Sequence, residues 1–499
     1  MSSVLCLASV FAPDELTLAP VFSDHAVLQR DVPLPIWGRA TPGSSISVSL
    51  AGHDGSATTG GDGRWRVDLP ALAAGGPHQL TVGDGVGSAR TIEDVWVGEV
   101  WLCSGQSNME WELKLAADGD AEVSAADVPG LHLLRVPRGS SAQPLENVPL
   151  QWTPCTPESA AWFSAVGYVF GRRLHEELGV PVGLVMSAVG GTFIEPWTPP
   201  EGFAAVPARS EVLVSQAALR DAHRDDLVPR LPGLQRWIGE SRAALESGSA
   251  LPERPTLPDH PLAGEDQPSA LYNAMIHPLA PFAFAGVTWY QGEQDVGDGP
   301  LYTHKTEALL AGLREVFEKP ELPLFFVQIA PFRYPRDPFD LSELREAQRA
   351  ALRFSHTGMV VTTDVGALDD IHPKDKRTVG ERLARLALHD VYGRLDVVPA
   401  GPLVRSVTRR DDGSLEVAFD WASGLATRHG GAPQGFEVLS ADGLWVPATA
   451  RLEGERVVLS SAATAGPLEA VRYGWHQESQ TDLVNDAGLP ASPFRETVR

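Results

Sequence analysis

Short runs of alternating apolar and polar residues open the chain, as in Ser45-Ile46-Ser47-Val48-Ser49-Leu50 and Trp65-Arg66-Val67-Asp68-Leu69. Period two places every other side chain on one face, so these runs predict half-buried antiparallel strands. Asp54-Gly55, Gly60-Gly61 and Gly75-Gly76-Pro77 punctuate them as turns. A small β-sandwich module over residues 1–94 is the expectation. From Val95 the pattern changes. Residues 97–103, 183–189, 286–290, 322–329 and 358–363 are almost uniformly apolar, as strands buried on both faces must be. Helical spacing appears between them: Val166, Phe170, Leu174 and Leu178 share one face, as do Leu309, Leu310, Leu313, Val316 and Phe317, and a further helical pattern runs over 378–392. Strands alternating with helices predict an α/β domain over 95–398, a parallel sheet covered on both sides with its functional groups at the strands' carboxyl ends. Pro- and Gly-rich residues 199–268 read as an excursion holding a helix or two beside a substrate cleft. Alternation returns at 415–419, 435–439, 456–459 and 470–473, predicting a C-terminal β module over 399–499.

Composition narrows the function. With 499 residues, and domains of about 100–200 residues each, two or three domains are implied. A net charge of −24 without any basic run argues against nucleic-acid binding, which needs clustered Lys and Arg. No apolar stretch approaches the ~20 residues of a membrane span. Residues 4–12 are apolar, yet no Lys or Arg precedes them, which favours a cytoplasmic protein over an exported one. Cys6, Cys103 and Cys155 fit neither a disulfide framework nor a zinc or redox motif.

Chemistry gathers at the predicted strand ends. The first strand runs into Gly105-Gln106-Ser107-Asn108-Met109. A serine hydroxyl is a weak nucleophile until a base takes its proton, so a catalytic serine must sit at an exposed turn beside a histidine. The pattern Gly-x-Ser-x-Met is not the Gly-x-Ser-x-Gly elbow of the α/β-hydrolases. Asp369-Asp370-Ile371-His372-Pro373 supplies an imidazole and two carboxylates, either of which can curl back to fix its tautomer. Gly190-Gly191-Thr192 and Gln291-Gly292-Glu293 end two further strands, offering a glycine amide and a glutamine side chain where an oxyanion would form. Each motif alone is weak: serines cap helices, glycines make turns, and Glu293 serves equally as a structural hydrogen-bonder. Trp111, Trp197 and Tyr290, with the nearby carboxylate of Glu195, make a sugar platform or ordinary core; His277 lines the pocket or packs beside a strand. Phosphate-loop, dinucleotide and His-Glu-x-x-His motifs are missing, so neither cofactor nor metal is inferred.

Gly-Gln-Ser-Asn-Met, Gly-Gly-Thr with Glu195-Pro196-Trp197, Trp289-Tyr290-Gln291-Gly292-Glu293 and Asp-Ile-His-Pro stand in an order that resembles the sialate O-acetylesterase family. Residues 21–30, 272–279 and 488–495 extend the likeness to both ends of the chain. The resemblance implies an SGNH-type, flavodoxin-like catalytic domain and similarity to some acetylxylan esterases. It implies Ser107 as nucleophile and His372 as general base. Ser107's own amide, Gly190 or Gly191, and Gln291 would form the oxyanion hole. Gln-Gly-Glu replaces the superfamily's Gly-x-Asn-Asp, which leaves the side-chain donor open. Superfamily spacing favours Asp369 as the acid by a narrow margin, family likeness favours Asp370, and Asp364 is a third candidate. The expected activity is removal of acetyl groups from an O-acetylated sugar, either acetylated xylan and its oligosaccharides or O-acetylated sialic acids. A sialate carboxylate calls for an arginine partner; none immediately flanks the four blocks, which tips the expectation toward a neutral sugar. The alternatives are an SGNH esterase or lipase of other acyl specificity and a non-catalytic carbohydrate-binding protein.

Overall fold

The computed structural model describes residues 16–85, 87–462 and 466–499; Cys6 and the apolar run 4–12 lie outside them. Seven strands carry the site: β1 (Ala89–Gly105), β2 (Leu131–Arg135), β3 (Trp152–Pro154), β4 (Val182–Ala188), β5 (Gly286–Tyr290), β6 (Leu324–Gln328) and β7 (Thr357–Val361). Their order is β3-β2-β4-β1-β5-β6-β7, parallel throughout except for the β3 edge. Every residue of β4, β5 and β6 is buried, as the uniform apolar runs required. The chain builds outward from β1 on one side through β4 and on the other from β5, so the order reverses around β1 and a crevice opens at its carboxyl end. Strands β2 and β3 went unforeseen, being short.

Five helices surround this sheet and its carboxyl edge: α1 (Ser107–Glu110), α2 (Ala165–Leu178), α3 (Leu301–Val316), α4 (Asp340–Ala350) and α5 (Lys376–Asp390). Helix α2 begins where Ser164 Oγ accepts from the Gly167 amide at 3.0 Å and ends at left-handed Gly179. It packs against α5, while α3 packs against α4. The 199–268 segment holds three α-helices, one more than anticipated: Pro200–Ala205, Glu211–Leu227 and Leu231–Ser247. The first lies on α3 so closely that a Cβ on Gly202 would stand 2.0 Å from the Ala308 carbonyl oxygen.

The expected boundary at residue 94 falls inside a single strand. The first half of β1 pairs with Gly75–Gly83 and Val27–Gln29 of the N-terminal layer, and its second half lies between β4 and β5. One apolar core runs unbroken from Leu16 to Leu388. The pattern change at Val95 marks a change in burial, from one covered face to two, and not a break between bodies. Residues 404–498 carry their own core, built on two four-stranded antiparallel sheets. No described helix is long and apolar enough to cross a membrane.

Candidate active site

Strand β1 leaves the sheet at Gly105, whose φ of +138° and whose missing Cβ, which would lie 2.2 Å from the Tyr290 carbonyl oxygen, allow a turn tight against β5. The Gln106 amide donates to that carbonyl at 2.9 Å, and the Gln106 carbonyl accepts from Met109 and Glu110, which starts α1. Ser107 is the first residue of α1 and partly exposed. The loop after β7 brings His372 to it, with Nε2 2.9 Å from Ser107 Oγ across 265 positions of sequence. The Trp111 ring stacks on the imidazole at 4.9 Å and 23°. Burial and the Lys376 charge push His372 below its ordinary value; Asp370 opposes them.

Asp370, not Asp369, bonds the histidine's backbone. Its Oδ1 accepts from the His372 backbone amide at 2.9 Å, and it is the carboxylate whose charge acts on the imidazole. Asp369 is exposed, and its charge acts on Arg333. Asp364 is committed elsewhere: Arg382 grips it with bonds of 2.7 and 2.6 Å, and Arg428 reaches it at 2.9 Å. The geometry thus brings Asp370 against the histidine loop and leaves Asp369, the narrow preference of the sequence, in solvent.

Gly190 lies where sequence placed it, a Cβ there standing only 3.1 Å from Ser107 Cβ, but its amide donates to Glu110 Oε2 at 2.8 Å. Gly191 is exposed, with φ +73°. Gln291 does not reach the site: fully buried, its amide nitrogen donates to the Thr192 carbonyl and to Asp295, and its oxygen accepts from Tyr302 at 2.8 Å. It braces the strand ends instead.

The expected sugar platform is also redrawn. Trp197 is 1% exposed and donates to Thr192 Oγ1 at 3.0 Å, Tyr290 is fully buried, and Glu195 pairs with Lys305 at 2.7 Å and Arg209 at 3.0 Å. His277 Nδ1 donates to the Leu145 carbonyl at 3.0 Å and lines a cleft with Trp37, Trp65 and Glu318, by the amino ends of β5 and β6, the opposite edge of the sheet. Trp111 stays at the site. Next to Ser107, Gly190 opens a groove of about 490 Å³ that it lines with Gly191, Thr192, Phe193, Gln294, Arg138, Glu265 and Asp266. Phe193, exposed, was legible inside the Gly-Gly-Thr-Phe block; Arg138 was not, because its loop arrives from a distant stretch of chain. Arg138 is already held by Glu265 through bonds of 2.8 and 2.5 Å.

Two buried residues escaped sequence reasoning. Asn108 donates to Glu293 Oε1 at 2.6 Å and to the Ile371 carbonyl at 3.1 Å, and it accepts from Lys376 Nζ. Burial raises the Glu293 carboxyl above its ordinary value and pushes Lys376 down to about 7. Nothing marks a lysine in a polar run such as Lys374-Asp375-Lys376 as buried.

A hydroxyl and an imidazole in contact at the switch point of a parallel sheet, with peptide amides beside them, are the parts of an ester hydrolase centre. The family described as carbohydrate esterase, sialic acid-specific acetylesterase, matches residues 97–221 and 263–389, and the chain belongs to it. The sialate O-acetylesterase of Rattus norvegicus is 29% identical over 96% of this chain and 94% of that one; that of Homo sapiens is 27% identical over 95% and 91%. The crystal structure of a carbohydrate acetylesterase from Xanthomonas citri is 36% identical, covers 96% of this chain and 99% of that one, and matches with a TM-score of 0.79. The protein is a carboxylic ester hydrolase.

Proposed function

We propose that the protein is a serine esterase that removes acetyl groups from a neutral O-acetylated sugar, such as an acetylated xylo-oligosaccharide, through an acyl-enzyme. The 2.9 Å contact between His372 Nε2 and Ser107 Oγ carries this reading. His372 takes the hydroxyl proton as Ser107 attacks the acetyl carbonyl, then gives it to the departing sugar oxygen; water releases acetate by the reverse sequence. The oxyanion is received by the amide of Ser107, which as the first helical residue has no intrahelical acceptor. The Gly190 amide joins it once Glu110 turns away toward Arg135, whose Nη2 lies 3.8 Å from its other carboxylate oxygen.

The groove's charge supports a neutral substrate. Glu265 and Asp266 line it, and Arg138 is neutralised by Glu265, so a sialate carboxylate would meet net negative charge. Phe193, exposed in the groove, supplies an apolar face on which a pyranose stacks. The test is acetate release from acetylated xylo-oligosaccharides and O-acetylated sialic acids by the wild type and by Ser107→Ala. Wild-type turnover should favour the xylo-oligosaccharides, and Ser107→Ala should lose about 10³-fold or more in kcat with its fold intact. A tenth of wild-type activity left in Ser107→Ala, or a preference for sialates, would refute the corresponding part.

A further inference from the structure

One carboxamide ties the Ser107 turn to the histidine loop, the end of β5 and the start of α5. Asn108, directly after Ser107, donates to Glu293 at the end of β5 and to Ile371 in the histidine loop, and accepts from Lys376 at the start of α5. Lys376 is 1% exposed. Its ammonium lies 5.5 Å from the Trp111 ring centroid and 5.6 Å from that of Tyr290, and Trp111 is the ring stacked on His372. Charged and titratable neighbours come from every element around it: Asp375 at the cap of α5, Asp370 and His372 on the loop, Glu293 and Tyr290 at the end of β5. Its hydrogen bond nevertheless goes to a neutral amide, and among the described residues no carboxylate forms an ion pair with it. A buried ammonium without a paired anion is costly to hold.

We propose that Lys376 is a positioning residue for the ester hydrolysis: through Asn108 it fixes the Ser107 turn against the histidine loop, and its charge keeps the His372 imidazole neutral and ready to accept a proton. The proposal rests on the assignment of Ser107 and His372 as nucleophile and base. A like charge nearby disfavours the imidazolium, so the base works to lower pH than an isolated histidine would. Burial pushes Lys376 down to about 7, against Glu293, Asp370 and Asp375, so it is charged through the more acidic range where His372 titrates. Without that charge the imidazole should gain a proton at higher pH, moving the acid limb of activity upward.

The experiment compares full-length wild type, Lys376→Met and Lys376→Arg in two readouts. One is the pH profile of kcat/KM on p-nitrophenyl acetate; the other is the NMR titration of the His372 ring in the Ser107→Ala background. Lys376→Met should move both the acid limb and the ring titration upward by about half a unit to one unit, and lower kcat about 10- to 100-fold with KM little changed. Lys376→Arg, which keeps the charge, should leave the limb where the wild type has it. If Lys376→Met does not fold, the same titration is read in Lys376→Gln, which still offers Asn108 a donor. A uniform fall in rate with neither limb nor titration displaced would reduce Lys376 to a packing residue and overturn the proposal. Because the ring titration needs no turnover, it separates failure here from failure of the esterase reading.

Discussion

At the residue scale, two adjacent aspartates divide their work by a single step of backbone. Asp370 accepts from the His372 amide and places its charge near the ring, whereas Asp369 stands in solvent. Asp370→Asn keeps the shape and removes the charge that favours the imidazolium formed during attack. In a well-studied triad the equivalent change costs about 10⁴ in rate; because Asp370 is seen bonding the backbone of His372, a loss of about 10²–10⁴ in kcat is expected here. Asp369→Asn should stay within a few-fold of wild type, and equal losses in the two variants would contradict the assignment. Sequence presented both carboxylates and favoured Asp369 only narrowly, since spacing fixes how far a side chain reaches but not which way its turn faces. Gln291 failed for a related reason: its place at a strand end was legible, but its amide turns inward to Thr192, Asp295 and Tyr302.

At the scale of elements, β1 joins the sheet to the Ser107 turn, and its last residue sets the geometry. Gly105 combines a positive φ with contact against the Tyr290 backbone, so Gly105→Ala imposes a strained conformation and a clash that only separation of β1 from β5 relieves. The strain alone costs about 1–3 kcal/mol. The variant should show a lower urea midpoint and lose most of its turnover, since Ser107 sits two residues further on; wild-type values in both measurements would rule this account out. The uniform apolar runs located β4, β5, β6 and β7 to within a few residues, because strands covered on both faces admit little else. Strands β2 and β3 carry no such signature.

For the whole molecule, continuity of the core decides what can be removed. Cutting at residue 95 would split β1 and strip the N-terminal layer from a core shared from Leu16 to Leu388. A protein lacking residues 1–94 should therefore be insoluble or lack a cooperative thermal transition, and a soluble, active 95–499 fragment would show two independent bodies instead. The C-terminal module is fastened differently, partly by Asp364, which Arg382 and Arg428 bridge. Burial pushes that carboxyl upward, but the two arginines outweigh it and hold it below the ordinary carboxylate range. A depressed native value means the stabilisation is present above the unfolded value of about 3.9 and is lost as pH falls through the native one. Asp364→Asn should thus lower stability at pH 7 and converge with wild type in strong acid; a constant difference across that range would refute it.

Sequence by itself determined the kinds of element and the family blocks. Apolar periodicity reports burial, and Ser107, Gly190 and His372 stand in motifs whose residue types are set by their chemistry. Only the tertiary structure decided how those groups face one another: that Ser107 and His372 meet at the crevice beside β1, that Glu110 occupies the Gly190 amide, that Asp370 bonds the His372 backbone, and that Lys376 is buried. The physical reason is the same in each case. Periodicity and spacing act along the chain, while hydrogen-bond direction, burial of a charge and the approach of distant loops are fixed by neighbours brought from elsewhere in the fold.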